Sequence, residues 1–523
     1  MNNRVEIFDT TLRDGCQLEG VSVTVDDKLR IAEQLDLLGL QYVEGGWPGA
    51  NPKDEEFFRR ARTELKFVNS TLVAFGSTRR PLGKVDDDPT LANLVAAGTS
   101  VACIVAKAWD YHVTEALRTT LDEGVQMVAD SVRYLREQGL GVMVDAEHFF
   151  DGFKHNPEFS LRVLEAAVIN GASHLVLCDT NGGSLPHEVG DIVSAVVRHV
   201  GTDVIVGIHC HDDTGCAVAN SMAAVMAGAR HVQGTINGLG ERTGNTNLST
   251  MIPNLTLKLG YETISPERME RLTAVSHHIA ELVNRPLNPQ APYVGGSAFA
   301  HKAGLHVSAI ARAKDAYEHV PPETIGNGTR FVVSEMAGKA TIQMKADELG
   351  LTMDGPALNH VIDDLKRLEH EGYHFEAADA SLELLMRRAA GWSNEWFDVE
   401  SMRVITDELP NGQFTTEATV KVHVGGVRKV TIAEGNGPVN AIDMALRQAL
   451  LPAFPALAKV HLTDFKVRIL DGGAATGAVT RVLLDATNGD RTWTTIGVSA
   501  NIIEASWQAL ADSLVFGLLH ATE

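Results

Sequence analysis

Two histidines separated by one residue end an apolar stretch of this chain, and together they could bind a metal ion. His209 and His211 close the segment VIVGIHCH (204–211). Because successive side chains of a strand point to opposite faces, the two imidazoles share one face and Cys210 points to the other. Imidazole is a common ligand of divalent metals, but a hydrogen-bonded structural pair also explains an isolated pair of histidines. The pair alone favours the structural role, so a metal site needs a further ligand.

Asp14 could be that further ligand. It follows Arg13 directly after the first apolar run, in the segment VEIFDTTLRDG (5–15), where an ordinary solvent-exposed turn is the alternative. If the two segments lie on the same edge of the fold, two histidines and one carboxylate leave positions on a metal open for substrate oxygens. Arg13 could then neutralise an oxyanion, or form a salt bridge with Glu44, or do both.

Three more residues have types suited to catalysis or metal binding. Glu147 ends GVMVDAE (141–147) and could be a base with a raised pKa or a carboxylate paired with a neighbour. Asn245 ends GLGERTGN (238–245), where it could offer an oxygen ligand, although a helix N-cap loop explains it slightly better. His306, in FAHKAGLHVSAI (299–310), is more often a core or surface residue than a catalytic one.

The elements that must position these residues recur at even spacing. Eight short apolar runs alternate with amphipathic stretches that have helical periodicity and often end in glycine. This order favours a (β/α)8 TIM barrel over an open sheet, and in such barrels the carboxyl ends of the strands form one rim that carries the active site. The eight runs are VEIFD (5–9), YVEGG (42–46), LVAFG (72–76), VACIVA (101–106), GVMVDAE (141–147), HLVLCDT (174–180), VIVGIHCH (204–211) and HVQGTING (231–238).

The rest of the chain has a different character. We predict a catalytic barrel over 1–264 and a helical linker region with Pro and Gly breaks over 265–394. Residues 395–523 contain two βββα units, which indicates a duplicated C-terminal domain. That domain has no obvious catalytic cluster, so a binding or regulatory role is expected of it.

Composition excludes several classes of function. A net charge of -22 without a strong basic patch argues against nucleic acid as a partner. No uninterrupted apolar run is long enough to cross a membrane and the start resembles no signal peptide, so we expect a cytoplasmic protein without a membrane partner. Five cysteines without a CxxC pair indicate reduced thiols. No GxGxxG follows the first run, which leaves a dinucleotide site without support.

Taken together, the motifs resemble those of the DRE-TIM metallolyase family, and within it the acyl-CoA-dependent Claisen-condensing synthases. The resemblance covers nearly the whole chain. It rests on DTTLRDG (9–15), Glu44, DTNGG (179–183), HCHDDTG (209–215), GLGERTGN (238–245) and GLHVSA (304–309).

The resemblance implies a role for each matching residue. It implies a divalent metal ion (Mn, Mg, Zn or Co) whose ligands are Asp14, His209, His211 and Asn245. Arg13 would stabilise the developing oxyanion and bind substrate with Glu44 as its orienting partner, and Glu147 and Thr180 would contact substrate, Glu147 also taking part in acid–base chemistry. His306 would be a catalytic histidine brought by the partner subunit of a homodimer, with Tyr317 as a nearby contact.

The same resemblance implies a reaction. We expect condensation of acetyl-CoA with pyruvate to (R)-citramalate and CoA, in isoleucine biosynthesis by the threonine-independent route, with isoleucine as an allosteric inhibitor bound by the C-terminal domain. The alternatives are 2-oxoisovalerate or 2-oxoglutarate as the 2-oxo acid, as in 2-isopropylmalate and homocitrate synthases.

Three other classes of protein are weaker alternatives. An acyl-CoA lyase would carry a cysteine in the glycine-rich loop, which GLGERTGN (238–245) lacks, and a biotin-dependent carboxyltransferase would need a lysine where this chain has Cys178. A non-catalytic amino-acid sensor would leave the reactive residues at the strand ends without a role. Two positions depart from the family pattern: Cys16 stands where Glu or Ala is more usual, and Ser308 stands where some relatives carry an acidic residue.

Overall fold

The first half of the chain forms a closed barrel of eight parallel strands. The structure is a computed structural model that describes residues 3–302, 306, 309–310, 312–313, 317–334 and 337–521. The strands pair in chain order, and the first closes on the eighth with Glu6 opposite His231. The predicted (β/α)8 barrel is therefore confirmed. Its strands are β1 (Glu6–Asp9), β2 (Tyr42–Gly46), β3 (Thr71–Ser77), β4 (Val101–Lys107), β5 (Gly141–Glu147), β6 (His174–Asp179), β7 (Ile205–Cys210) and β8 (His231–Gly234).

Helices cover the outside of the barrel, and α1 (Val25–Leu38) shows how the sequence defines them. Thr24 and Asp27 form a reciprocal capping box at its start, and Gly39 ends it in a left-handed conformation with φ of 86°. The other helices of this half are α2 (Pro52–Glu64), α3 (Pro89–Ala96), α4 (Leu121–Glu137), α5 (Phe149–His155), α6 (Pro157–Ile169), α7 (Pro186–Val200), α8 (Ala217–Met226), α9 (Leu248–Pro253), α10 (Pro266–Met269) and α11 (Leu272–Leu282).

Hydrophobic residues of the barrel fall into two layers. The larger cluster lies between the strands and the helices and includes Ile7, Leu35 and Phe57, all without exposed surface. A smaller cluster, which contains Phe8 and Phe75, is made by the alternate side chains of the strands. Because this second cluster is small, polar side chains occupy the rest of the barrel interior.

The chain divides into two compact units. The first contains Met1–Phe299 and Glu318–Thr329, and the second contains Ala300–Tyr317 and Arg330–Glu523. In the second unit a short parallel pair of strands precedes three helices. These elements are β9 (Ala300–His301), β10 (Arg330–Phe331), α12 (Lys339–Glu348), α13 (Gly355–His370) and α14 (Asp379–Ala389).

The end of the chain repeats one arrangement twice, as the sequence predicts. Each repeat is an antiparallel three-stranded sheet followed by a helix. The first consists of β11 (Phe397–Glu408), β12 (Phe414–Val424), β13 (Val427–Gly435) and α15 (Pro438–Leu450). The second consists of β14 (His461–Ile469), β15 (Thr480–Thr487), β16 (Thr492–Ser499) and α16 (Ile502–Leu519). Both repeats contribute to one hydrophobic core.

Among the described residues, α16 is the one helix with the length and composition to cross a membrane. Within the fold, 56% of it is buried. Its residues pack into the core of the second repeat, where Ser513 accepts a hydrogen bond of 3.0 Å from Trp493 Nε1. Helix α16 is therefore a core helix of the C-terminal repeats.

Glu6, His174 and His231 form a cluster of potential metal ligands where their strands begin. Glu6 Oε2 lies 2.8 Å from His174 Nε2 and 3.4 Å from His231 Nδ1. Although burial opposes ionisation, these hydrogen bonds lower the pKa of Glu6 to about 2. Its carboxylate therefore stabilises the native barrel.

We expect Glu6→Gln to lower the stability of the barrel at pH 7 by roughly 2 kcal/mol. Because the native pKa of Glu6 lies below its ordinary value of 4.5, this contribution is complete above about pH 4.5 and is lost as the pH falls toward 2. Urea unfolding at pH 7 and at pH 3 measures it, with the exposed Glu137→Gln as control. A difference between wild type and variant that stays constant between the two pH values would contradict this account.

Candidate active site

The turn after β1 is held by a buried aspartate that the sequence did not reveal as important. Asp9 accepts hydrogen bonds from the backbone N–H of Thr11 at 2.8 Å and from its hydroxyl at 2.9 Å. It also accepts one of 3.2 Å from the N–H of Ile236, in the loop after β8. Burial raises the pKa of Asp9 to about 7, although these hydrogen bonds oppose the shift. Asp9 thus joins the first strand end to the last.

This turn brings Asp14 to the two histidines that follow β7. Asp14 Oδ2 lies 3.4 Å from His209 Nε2 and 3.8 Å from His211 Nε2, and all three side chains are buried. Two ligand atoms that bind one tetrahedral ion at about 2.1 Å are roughly 3.4 Å apart. The three predicted ligands therefore lie at separations suited to a shared divalent ion.

The charge states of two members of this cluster, Asp14 and His211, suit a cation. Burial alone would raise the pKa of Asp14, but Arg13 and the two histidines outweigh it and hold this pKa well below its usual range. Burial, together with repulsion from His209, lowers the pKa of His211 to about 4. At neutral pH the site therefore contains a carboxylate and a neutral imidazole with a free lone pair.

Asn245, the fourth predicted ligand, is paired with His211 in an isolated antiparallel bridge. Its side-chain nitrogen donates to the carbonyl of Leu239 at 3.1 Å. Its side-chain oxygen is buried and has no hydrogen-bond partner within the described part of the chain. A buried acceptor without a donor costs about 1–3 kcal/mol, and a cation bound there would remove that cost. The residues present thus fit a divalent metal.

Arg13 is held rigidly beside this cluster. Its Nε donates to Glu44 Oε2 at 2.7 Å, and its Nη1 lies 3.3 Å from Asp14 Oδ2. Thr10 donates to the same Glu44 oxygen at 2.5 Å, and the guanidinium lies 3.9 Å from the centre of the Phe75 ring. Two carboxylates and an aromatic face therefore set the orientation of Arg13, as expected if Glu44 is its orienting partner.

Glu147, the last residue of β5, and Thr180, in the loop after β6, lie at the same end of the barrel. Glu147 forms an ion pair with Lys107, at the end of β4. Thr180 Oγ1 accepts a hydrogen bond of 2.9 Å from the backbone N–H of His148. That residue has a φ of 53°, which is uncommon for a residue other than glycine. The Thr180 hydroxyl keeps its own proton to donate.

Arg242 links the loops that follow β6, β7 and β8. It donates from Nε and Nη2 to both carboxylate oxygens of Asp213, at 2.8 and 2.9 Å, and from Nη2 to the carbonyl of Thr180 at 2.7 Å. Gly182 allows these loops to approach, because a Cβ there would lie 2.8 Å from Asp213 N, and its φ of 61° is left-handed. The metal-ligand loop and the Thr180 loop are therefore mechanically connected.

His306 and Tyr317 belong to the second unit. Their rings stack with centroids 4.2 Å apart and an angle of 25° between planes. They form one aromatic pair, as neighbouring contacts of one site would. Ser308 lies outside the described residues.

Cys16 has a structural explanation that the sequence did not supply. It lines a cavity of about 550 Å³ together with Trp47, Lys28 and Asp54, next to Arg13. Burial raises the pKa of the Cys16 thiol to about 11. At neutral pH this residue is therefore an uncharged wall of the cavity and not a nucleophilic thiolate.

Comparison with protein families accounts for almost the whole chain. Residues 4–278 match the HMGL-like family, which covers the barrel. Residues 293–373 match the homocitrate synthase post-HMGL domain-like family. Residues 376–517 match the LeuA allosteric (dimerisation) domain. The three matches follow one another in the order expected of the synthases.

Individual relatives extend over the same length. A protein of Aquifex aeolicus named (R)-citramalate synthase is 51% identical over 100% of this chain and 99% of its own length. Proteins of the same name are 51% identical in Streptomyces coelicolor, over 100% of this chain and 98% of the relative, and in Synechocystis, over 98% and 96%. The similarity is therefore continuous across both compact units.

We expect Asp14→Asn to weaken the binding of Mn²⁺ at least about 100-fold, since loss of a direct ligand should exceed the 10- to 100-fold effect of outer partners. Asparagine keeps the shape of the side chain and removes the negative charge that lies next to both histidines. Calorimetric binding of Mn²⁺ to the purified protein measures the change. Asp151→Asn, on the same end of the barrel, is the control, and equal affinities for the two variants would exclude Asp14 as a ligand.

Proposed function

This chain belongs to the HMGL-like family and, within it, to the (R)-citramalate synthases, and we propose that it condenses acetyl-CoA with pyruvate. The products are (R)-citramalate and free CoA, so the enzyme is an acyltransferase that converts the acetyl group into an alkyl group. The reaction consumes one water, which cleaves the thioester after the carbon–carbon bond has formed. The observation that carries the proposal is the buried group of Asp14, His209 and His211 beside an oriented Arg13.

The first requirement of this reaction is an electrophilic keto carbon. A divalent cation bound by Asp14, His209, His211 and Asn245 would polarise the keto group of pyruvate. Arg13 is placed beside that cluster and presents a guanidinium whose direction is set by Glu44. It would bind the oxygen of the keto group as that oxygen becomes an alkoxide. The Thr180 hydroxyl, which has a proton to donate, would bind a carboxylate oxygen of pyruvate.

The second requirement is a base that removes a proton from the methyl group of acetyl-CoA. We propose Glu147 and His306 for this part of the chemistry. Glu147 lies at the end of β5, beside Lys107, and its carboxylate would accept the proton. His306 stacks on Tyr317, which would orient the imidazole, and by family resemblance both come from the partner subunit. The enolate formed by proton removal then attacks the keto carbon.

We propose a regulatory role for the second unit. The match of residues 376–517 to an allosteric and dimerisation domain supports a homodimer and an effector site separate from the barrel. The two βββα repeats contain α15, whose start borders a cavity of about 760 Å³ lined by Asn440, Asp443 and Phe465, among others. Isoleucine, the end product expected of this route, is the proposed inhibitor.

We expect pyruvate to be preferred over larger 2-oxo acids by at least about 10-fold in kcat/KM, because each added methylene changes discrimination by that order. Thiol release from acetyl-CoA, followed with pyruvate, 2-oxoisovalerate and 2-oxoglutarate in turn, gives this comparison. Metal chelation should abolish release, and added Mn²⁺ should restore it. A preference for 2-oxoisovalerate would indicate a 2-isopropylmalate synthase, while no release with any acid would refute the synthase function.

Isoleucine should lower the rate of thiol release when both substrates are present. A ligand that favours one conformation of the second unit changes the activity of the barrel through the coupling free energy between the two sites. Titration of isoleucine at fixed acetyl-CoA and pyruvate measures the effect. Leucine and valine, which differ from isoleucine in side-chain shape or length, are the controls. Full activity at saturating isoleucine would refute this effector and leave the condensation itself intact.

A further inference from the structure

We propose that Gln233 and Asp145 are positioning residues that decide which nitrogen of His209 faces the metal. The inference rests on the proposed role of His209 as a ligand. Both residues act through His209, by fixing the position of a proton on its ring.

The direction of each hydrogen bond follows from one residue that can only accept. Asp145 Oδ1 lies 3.0 Å from Gln233 Nε2 and also accepts from the Cys103 thiol, so this carboxylate oxygen acts as an acceptor. The amide nitrogen of Gln233 must therefore face Asp145, and its oxygen must face His209. That oxygen lies 2.8 Å from His209 Nδ1, so Nδ1 carries the proton. The other nitrogen, Nε2, then faces Asp14 and is the one available to a metal ion.

The barrel makes this arrangement rigid. His209 on β7 is the direct register partner of Gln233 on β8, and Asp145 reaches them from β5. Cys103, on β4, donates from its thiol to the same Asp145 oxygen at 3.2 Å. Gln233 has no exposed surface and Asp145 is 3% exposed. Water therefore does not compete for these hydrogen bonds, and the amide of Gln233 cannot rotate without placing its oxygen against a carboxylate.

His211 provides an internal contrast. Its Nδ1 is buried and, among the residues that the structure describes, has no hydrogen-bond partner. No neighbour therefore specifies the proton on its ring in the way that Gln233 specifies the proton on His209. Outer partners of this kind typically change metal affinity by about 10- to 100-fold. At this site, the structure assigns that effect on metal affinity to the hydrogen bonds that connect Asp145, Gln233 and His209.

The test measures Mn²⁺ binding, which needs no substrate. Gln233→Leu removes the acceptor for His209 Nδ1–H and should weaken Mn²⁺ binding about 10- to 100-fold. Asp145→Asn should also weaken it, because an amide at 145 can donate or accept and so permits the Gln233 amide to turn over. Dissociation constants can be obtained from the loss of the free-ion EPR signal.

The double variant Gln233→Glu with Asp145→Asn distinguishes positioning from packing. A carboxylate at 233 accepts from His209 Nδ1–H and from the amide at 145, so the proton is specified again. We expect its affinity to return to within about threefold of wild type. Gln41→Leu, which removes a half-buried glutamine oxygen that accepts a hydrogen bond from the N–H of Ile7, is the control and should leave Mn²⁺ affinity unchanged.

Each outcome has one meaning. Weak binding by Gln233→Leu with recovery in the double variant supports the proposal. Wild-type affinity in a folded Gln233→Leu protein, or equal loss in the single and double variants, would overturn it. Absence of Mn²⁺ binding by the wild type would overturn the metal role of His209 as well. Because thiol release is not part of the test, a failure of the condensation would leave these outcomes interpretable.

Discussion

The structure of the catalytic end depends on how buried negative charge is compensated. Asp9, Asp14, Glu44 and Asp145 are all at most 3% exposed, and an uncompensated charge at such depth costs several kcal/mol. A different set of neighbouring groups stabilises each of these carboxylates. Asp9 is held by backbone and hydroxyl donors, Glu44 by Arg13 and Thr10, and Asp145 by an amide and a thiol. Asp14 relies on Arg13 and two histidines, an arrangement that a divalent cation would strengthen.

The two ends of the barrel use the same residue types for different purposes. At the strand starts, Glu6 receives hydrogen bonds from His174 and His231, so its charge is satisfied by protein donors. At the strand ends, Asn245 keeps a buried oxygen without a donor among the described residues, and His209 Nε2 lies 3.4 Å from the Asp14 carboxylate. The Asp14 cluster therefore differs from the Glu6 cluster in having a buried amide oxygen without a donor beside it.

The sequence predicted those parts of the fold that depend on local pattern. Eight apolar runs and the polar residues after them were enough for the barrel and for the meeting of Asp14 with His209. Asp9, Asp145 and Gln233 were not found, because their roles depend on which strands face each other across a closed barrel. Cys16 stayed unexplained for a similar reason, since its cavity also needs the segment from Trp47 to Asp54, which follows the next strand. Hydrogen bonds that form only when the barrel closes leave no local pattern in the sequence.

The bridge made by Arg242 has a consequence for how this barrel can change. Loops of such barrels are often regarded as replaceable modules on a constant frame. Here one guanidinium joins the Asp213 carboxylate to the Thr180 carbonyl, and Asp213 lies two residues from His211. Replacing one of these loops to admit a bulkier acid would therefore also shift the proposed metal ligand His211. Variation of specificity in this scaffold should therefore arise from coordinated replacement of three loops and not from the grafting of one.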